Sequence, residues 1–379
     1  MLLIEADGKS LFREGGLQVP DGILVDAGMP LPVLPGNGPW VVKAQVPVGG
    51  RGKAGGIVHC RTREDVAAAI GRMMGRPIRG HVVRACLVES AVSGIEAYIS
   101  LMVDAGAGEV RLMYSEKGGI DVEQAARHGG DLFSVSCSPD VAGIHDGIAH
   151  LAARLPPAAA AAFARTAERL AQVFLTNELL LAEVNPLFRT AEGEIVGDAK
   201  IVVDTNALDR QASLLGFIDR RPEIYCDVWR KVHEGFDFID LDADGSIGLV
   251  TTGAGLSMML IDELVARGGK PVNFCDIRTG QLRGSPDRLV RVLEWLAEKK
   301  NLRVVFVNIF AGITDLGEFA RLLVQALDRS PIPDIPVIAR LVGTGERAAI
   351  DYLKSARPDL PVYSDMEPAL AKVISAAAA

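Results

Sequence analysis

The most constraining feature of the sequence is a regular alternation, across its last third, of short apolar runs rich in β-branched residues with amphipathic helical patterns. Five such units follow one another. Ser246–Thr252 (SIGLVTT) leads through Gly253–Gly255 into a helical stretch in which Leu256, Leu260 and Leu264 share one face, closed by Gly268 and Gly269. Pro271–Ile277 follows, with a helix opened by Ser285-Pro286-Asp287. Arg303–Phe310, Pro336–Leu341 and Leu360–Ser364 are the remaining strand candidates, each with its helix. Strands buried on both faces and joined by helices point to a parallel sheet with right-handed crossovers. A doubly wound α/β domain is therefore expected over 240–379, entered through the acidic turn Asp240–Gly245.

The first 235 residues behave differently. Short strands such as Trp40–Val46, Ala85–Glu89 and Tyr98–Val103 are separated by glycine loops, with few clear helices between them, which predicts antiparallel hairpins in an α+β domain over 1–236. Pro20–Pro39, with five prolines, reads as an extended connection, and Ala152–Gln172 as a helix whose start is set by Pro156-Pro157. Of the 379 residues 49% are apolar and 23% charged, enough for buried cores and too few charges for disorder. Forty basic against 48 acidic residues, a net charge of −8 without basic blocks, argue against nucleic acid as a ligand. No apolar stretch is long enough to cross a membrane. Met1–Ser10 lacks the basic start and apolar run of a secretory leader, and five cysteines without C-x-x-C spacing suit a reducing compartment, so the cytoplasm is the expected location.

Three groups of residues could carry chemistry. Gly49–Gly56 (GGRGKAGG) directly follows the strand that carries Lys43; its glycines let backbone N–H groups approach an anion, and Arg51 and Lys53 add charge. It is not a Walker A loop, and a mobile glycine hairpin with solvated cations is the alternative. Leu179–Phe188 and Glu194–Val203 read as a hairpin. If Ala191 and Glu194 flank its two-residue turn, Asn185 opposes Lys200, and Glu183, Asn185, Asp198 and Lys200 share one face. An amide oxygen and a carboxylate are hard ligands of the kind Mg²⁺ takes beside nucleotide phosphates, although an ordinary exposed hairpin face would look the same. Gly253–Gly255 and Asn308–Thr314 place two helix N-termini at the carboxyl edge of the predicted parallel sheet, where open α/β sheets bind ligands. Gly253, Gly255 and Asp276 also match part of a nicotinamide-binding fingerprint. The six histidines, His128 among them, show no metal-binding spacing.

Several of these stretches together resemble one family. Trp40–Val46, Gly49–Gly56, Val88-Glu89, Glu183–Leu187, Asp198-Ala-Lys200, Asn206–Gln211, Gly253–Leu256 and Val307–Ile313, in this order along nearly the whole chain, are similar to the β subunits of succinate–CoA ligase and of the related malate–CoA ligase. The resemblance implies an α+β ATP-grasp domain followed by an α/β flavodoxin-like domain, and an ADP- or GDP-forming acid–CoA ligase working as one subunit of a heteromer. It implies that Lys43, Arg51, Gly52 and Lys53 contact the phosphates of ATP or GTP, that Glu89 and Glu96 hold its base and ribose side, and that Asn185 and Asp198 bind Mg²⁺. Glu183 would face a phosphohistidine. That histidine and the CoA site would belong to an α subunit, and Thr252, Gly312, Ile313 and Thr314 would meet a small di- or tricarboxylic acid.

The chain also departs from the family pattern. Thr252 stands where the family has Asn, Asp276-Ile-Arg278-Thr279-Gly280-Gln281 replaces a glycine-rich turn, and Thr314-Asp315-Leu316-Gly317 replaces a segment with Arg and Cys. An amide lost at 252, a cation gained at 278 and an acid at 315 are expected to change how a dicarboxylate is held. The rival expectations are a subunit that keeps the fold as a non-catalytic nucleotide- or acid-binding regulator, and a nicotinamide dehydrogenase.

Overall fold

A computed structural model describes residues 1–119 and 132–378; His128 lies outside the described residues. The chain divides into two units, Met1–Tyr225 and Cys226–Ala379.

The first unit is built on two antiparallel sheets. In one, strands Gly22–Asp26, Ala85–Ser90, Trp40–Ala44 and Ile57–Cys60 lie side by side in that order. Trp40, Val42 and Ala44 pack with Val25, Cys86 and Val88 against Val66, Ala69 and Met73 of helix Arg63–Met73. The alternate residues Val41 and Lys43 point to the opposite face and are buried too, so all five positions of the central strand are enclosed. A lysine buried mid-strand needs charged partners on that face.

The second sheet runs Gly193–Val196, Leu179–Thr190, Ile95–Asp104, Glu109–Ser115, Leu132–Cys137, with Ala199–Val203 also paired to Leu179–Thr190. The turn between the long strand and its partner is Ala191-Glu192, flanked by the pair Thr190 and Gly193. Glu183 therefore opposes Lys200, and Asn185 does not. The expected register is wrong by two residues, and a two-residue shift returns every side chain to its original face. Asn185 and Pro186 lie opposite Gly197 and Asp198, between the paired stretches.

Two local expectations also change. The helix expected at Ala152–Gln172 is two helices, Val141–Ala152 and Pro157–Thr176, because Pro157 fits the first turn of a new helix and not the interior of an old one. The proline-rich Pro20–Pro39 contains the edge strand Gly22–Asp26, a position proline-flanked chain tolerates.

In the second unit, strands Ile247–Thr251, Val304–Ala311, Val337–Gly343 and Val362–Tyr363 form a parallel sheet in chain order. Alternation along Val304–Ala311 divides its side chains between two cores. Val305, Val307 and Ile309 meet Leu293, Leu296, Phe319 and Leu353 from helices Asp287–Ala297, Leu316–Asp328 and Glu346–Ala356. Val304 and Phe306 meet Leu260, Leu264, Leu370 and Val373 from helices Ala254–Ala266 and Met366–Ala378. Helices thus cover both faces, as the continuous apolar strands require.

The strand expected at Pro271–Ile277 is an exception. It is Asn273–Asp276, paired antiparallel with Asp237–Asp240 in a separate two-stranded sheet. On its other side backbone bonds to Ile247–Thr251 form only at the ends, Val272 N to Ile247 O and Ile277 N to Thr251 O, both at 2.9 Å, and between them the fully buried Asn273 side chain fills the gap: its amide oxygen accepts from Leu249 N at 2.8 Å and its amide nitrogen donates to Leu249 O at 2.9 Å. Among the described residues no helix is long and apolar enough to cross a membrane.

Candidate functional site

The helix Glu5–Glu14 begins the first site, and it is turned inside out by ordinary standards: Glu5, Asp7 and Lys9 lie on its buried face with Leu11 and Phe12. Its first turn is fixed by two buried polar groups. Ile4 N donates to the Tyr225 hydroxyl at 2.9 Å, and Ala6 N donates to Gln45 Oε1 at 2.9 Å. Gly8 faces strand Ala199–Val203, where its N–H donates to Ile4 O within the helix at 3.0 Å and a Cβ would be in ordinary contact with Ala199. These contacts aim Glu5 and Lys9 at the face of the first sheet that carries Lys43 and Glu89.

There a six-membered charge network forms. Lys43 Nζ lies 2.6 Å from Glu5 Oε1, 3.0 Å from Glu89 Oε2 and 2.7 Å from Gly197 O. Lys9 Nζ reaches both Glu89 oxygens at 2.7 Å, Glu5 at 2.8 Å and the same Gly197 carbonyl at 2.9 Å. The Arg51 guanidinium bridges Asp198, at 2.8 and 3.1 Å, to Glu5 Oε2 at 2.9 Å. Three cations face three carboxylates. Glu5, Lys9, Lys43, Arg51 and Glu89 are all under 10% exposed, whereas the Asp198 side chain keeps 29% of its surface. Removing such charges from water costs several kcal/mol per ion, offset only when every partner is present and well placed.

The electrostatics follow from this crowding. Burial alone would push the Glu5 carboxyl up, but Lys43, Lys9 and Arg51 outweigh it and hold it far below its usual range. Burial would lower Lys43; Glu5, Glu89 and Asp198 reverse that and raise it. Asp198 is raised, by burial first and by Glu5 second, against the pull of Arg51 and Lys43. Glu183 is raised as well, mainly by burial, with Asp198 adding to the effect and Lys200, 3.6 Å away, opposing it.

The sequence-derived candidates are not all gathered in one place. Lys43, Arg51, Glu89 and Asp198 converge. The glycine loop closes on itself through Ala54 N and Gly56 N, both donating to Arg51 O, which turns the Arg51 side chain inward and leaves Gly52 and Lys53 exposed at the tip. Glu96 is exposed on the other sheet, opposite Phe188 and beside Gly119. Asn185 is near it: its amide oxygen accepts from Gly119 N at 2.7 Å and its amide nitrogen donates to Gly119 O at 3.0 Å. Glu5 and Lys9 are additional members that sequence reasoning missed. The readable signal was a Glu-x-x-x-Lys pair in the first turns of a short polar helix. Beyond the Lys9–Glu89 pair opens a cavity of about 270 Å³, floored by Leu24, Leu87 and Phe217 and rimmed by Arg13 and Arg220.

A second group sits at the carboxyl edge of the parallel sheet. Gly253, at φ +85°, caps helix Ala254–Ala266 and donates its N–H to Asp276 at 3.0 Å, so the Asp276 carboxylate is occupied locally. Thr252 is half-buried beside it. Gly312 O accepts from the Thr344 hydroxyl at 2.8 Å, Ile313 is fully exposed, and the Thr314 hydroxyl meets that of Thr279 at 3.1 Å. The helix after this loop starts at Leu316, and its first amides are taken by Asp315, whose Oδ1 accepts from Gly317 N at 2.6 Å and Glu318 N at 3.3 Å. An open helix N-terminus was expected here; the chain supplies its own carboxylate to it.

Comparison with known proteins agrees with this architecture. Residues 2–189 match the family model described as an ATP-grasp domain, and residues 250–370 the one described as CoA-ligase. A protein of Rubrobacter xylanophilus named succinate–CoA ligase [ADP-forming] subunit beta is 35% identical over 371 residues, covering 95% of this chain and 94% of its own length. Proteins of the same name from Bacteroides thetaiotaomicron and Cupriavidus necator are 37% and 32% identical, over 83% and 100% of this chain and the same shares of their own. The solved structure of ATP citrate lyase from Methanothrix soehngenii, in complex with citrate and coenzyme A, shares the fold at a TM-score of 0.74 and 16% identity, each chain covered to 99%. The family models and the fold thus define an ATP-grasp domain followed by a CoA-ligase domain. Within that class, the chain belongs to the family of succinate–CoA ligase β subunits.

Proposed function

We propose that the chain is the nucleotide-binding β subunit of an acid–CoA ligase that converts a small di- or tricarboxylic acid, CoA and ATP or GTP into an acyl-CoA, the nucleoside diphosphate and phosphate. The observation that carries the reading is the buried network around Lys43 and Arg51. Two cations from different elements are enclosed and held charged among Glu5, Glu89 and Asp198, an arrangement suited to a polyphosphate and costly without such a use, and Lys9 and Glu89 of the same network line a cavity. Nucleotide work belongs on this reading to the Met1–Tyr225 unit and acid and CoA work to the Cys226–Ala379 unit, a division that falls earlier than the 1–236 and 240–379 expected from sequence.

A carboxylate is a poor electrophile. Phosphoryl transfer from the nucleotide to a histidine of an α partner, and from there to the acid, gives an acyl phosphate that the CoA thiol attacks with release of phosphate. The chain's own residues position and neutralise. Lys43 and Arg51 would exchange part of their pairing with Glu5, Glu89 and Asp198 for phosphate oxygens, with Gly52 and Lys53 closing over them. The cavity bordered by Glu89 takes the nucleoside side, with Glu96 at the other sheet. Asn185 and Asp198 would hold Mg²⁺, whose role is to neutralise charge on the phosphates. An amide oxygen and a carboxylate are donor types Mg²⁺ takes; here Asn185 Oδ1 accepts from Gly119 N and the partly exposed Asp198 carboxylate from Arg51, contacts that the metal would replace. Glu183, whose carboxyl is pushed up mainly by burial, would face the partner's imidazole and orient it. Thr252, Gly312, Ile313 and Thr314 would meet the acid. The cytoplasm is the compartment this chemistry suits.

The test is to incubate the chain with γ-labelled ATP and Mg²⁺, alone and then with its α partner. Acid-labile label on the partner only, followed by acid-dependent release of ADP, supports the reading. Stable stoichiometric label on this chain overturns the division of labour, and binding of ATP without any transfer favours a regulatory subunit.

A further inference from the structure

The two loops proposed to meet the acid, 252–253 and 312–314, are tied to each other through a third, and an arginine stands at the junction. Asp276 accepts from Gly253 N at 3.0 Å and from Arg278 N at 3.1 Å, while Thr279 meets Thr314 through their hydroxyls at 3.1 Å. Arg278 thus lies, with the buried Ile277, between a residue that grips the first loop and one that grips the second. Its backbone is left-handed, φ +50°, a conformation that costs a non-glycine residue on the order of 1–2 kcal/mol. Strain of this kind persists where surrounding contacts impose it, and it clusters at ligand sites.

The side chain is available. Arg278 is 41% exposed, and its guanidinium lies 3.1 Å from Asp237 Oδ2. Asp237 has a second cation, Lys231, at 3.1 Å from its other oxygen. A swing of Arg278 away from Asp237 therefore leaves no carboxylate unpaired, unlike any movement within the network of the first unit. A further cation is close by: Arg288 is lowered by burial and, next, by the charge of Arg278.

We propose that Arg278 is the residue that selects acids bearing a second carboxylate, pairing with the carboxylate that is not activated while the loops at 252–253 and 312–314 hold the one that is. The inference rests on the proposed acid–CoA ligase activity. A planar guanidinium matches a carboxylate in two parallel hydrogen bonds, and a monocarboxylic acid would leave it unanswered. Discrimination built on a polar group left unpaired is the strong kind.

The experiment uses the complex of this chain with its α partner, with succinate and malate as dicarboxylic probes and butyrate as the monocarboxylic control. R278Q should raise the KM for succinate and malate by roughly 10- to 100-fold, the range for a lost charged hydrogen bond, and leave the KM for butyrate and ATP unchanged. R278K should recover part of the loss. D237N separates recognition from bracing, because it frees the guanidinium: it should leave the succinate KM unchanged or lower it. An unchanged succinate KM in R278Q, a D237N loss equal to that of R278Q, or equal losses for butyrate and ATP would each overturn the proposal. Calorimetry with succinate and malate distinguishes this failure from failure of the proposed activity. Heat abolished by R278Q in a complex that forms no thioester keeps the carboxylate site and discards the activity; no heat with either acid in the wild type discards the site whatever the activity.

Discussion

The charged centre of the first unit and the carboxyl edge of the second solve the problem of holding anions in opposite ways. In the first, Glu5, Lys9, Lys43, Arg51 and Glu89 are sealed from water and neutralise one another, so charges and positions are fixed before any ligand arrives. In the second, groups sit on loops, Asp315 fills its own helix terminus, and apolar side chains stand in water: Ile313 completely, Phe310 and Met258 by more than half. A preorganised site costs folding energy and saves it at binding. An edge with exposed apolar side chains is unfinished as it stands, and on the proposed function it is completed by the α partner.

The largest effect that would break this contrast is in the sealed centre. Glu5 touches Lys9, Lys43 and Arg51. Glu5→Gln would leave those three cations with only Glu89 and Asp198, an uncompensated buried charge of the kind that destabilises by about 3–5 kcal/mol. Urea unfolding of the full chain measures it, and a loss below about 1 kcal/mol would mean the network is far wetter than its burial implies. Next comes Asp198→Asn, which removes a charge from both Arg51 and the proposed metal position. Phosphorylation of the partner histidine should slow by roughly 100-fold or more, with a raised Mg²⁺ requirement; ordinary rates at ordinary Mg²⁺ would remove Asp198 from the metal assignment.

Much of this contrast was legible in the sequence, for physical reasons that also explain the failures. The second unit could be read because strands buried on both faces leave long apolar runs. Asn273 escaped because its side chain imitates the backbone in the gap of a ladder, which hydropathy does not encode. In the first unit, Lys43, Arg51 and Asp198 stood out as polar residues in glycine-rich or alternating contexts, and Glu89 came only through the family resemblance. The helix Glu5–Glu14 did not, because its buried face is charged and inverts the amphipathic signal. The hairpin is present with Glu183 opposite Lys200, but its register was wrong, since Ala191-Glu192 rather than Glu192-Gly193 makes the turn. Lys53 and Glu96 fell away from the centre because a closed turn and a different sheet place them, and neither is visible in a motif.

A smaller effect sharpens the comparison through pH. Glu183 and Asp198 are raised, mainly by burial, so between the usual carboxylate range and their raised values the folded chain binds protons that the unfolded chain has released. Their contribution to stability is therefore lost as pH rises through that window. Glu5 runs the other way: its contribution is complete above the usual carboxylate range and is lost only as pH falls toward its depressed value. Melting curves across the acid range should show Glu183→Gln flattening the decline on the rising side. Lys200→Met should steepen it, because Lys200 holds Glu183 down; identical profiles for the three proteins would place Glu183 in water.

The smallest effect tests the open edge. Phe310→Ser changes a side chain that is 57% exposed, so the chain alone should keep its stability within about 0.5 kcal/mol, while association with the α partner weakens by about 1–2 kcal/mol if Phe310 is covered there. Asp315→Ala probes the other half of the idea, that the edge caps itself. Asp315 accepts from two first-turn amides, and its loss should cost about 1 kcal/mol, the usual worth of an N-cap. The same change frees Gly317 N and Glu318 N and removes a negative charge from the positive end of the helix dipole, so an anion from solution can take the carboxylate's place. Raising inorganic phosphate should then raise the melting temperature of Asp315→Ala more than that of the wild type, with sodium chloride as the ionic-strength control. Equal responses to phosphate in the two proteins would mean that the terminus is closed by something other than Asp315, and that the difference between the sealed centre and the open edge does not extend to this helix.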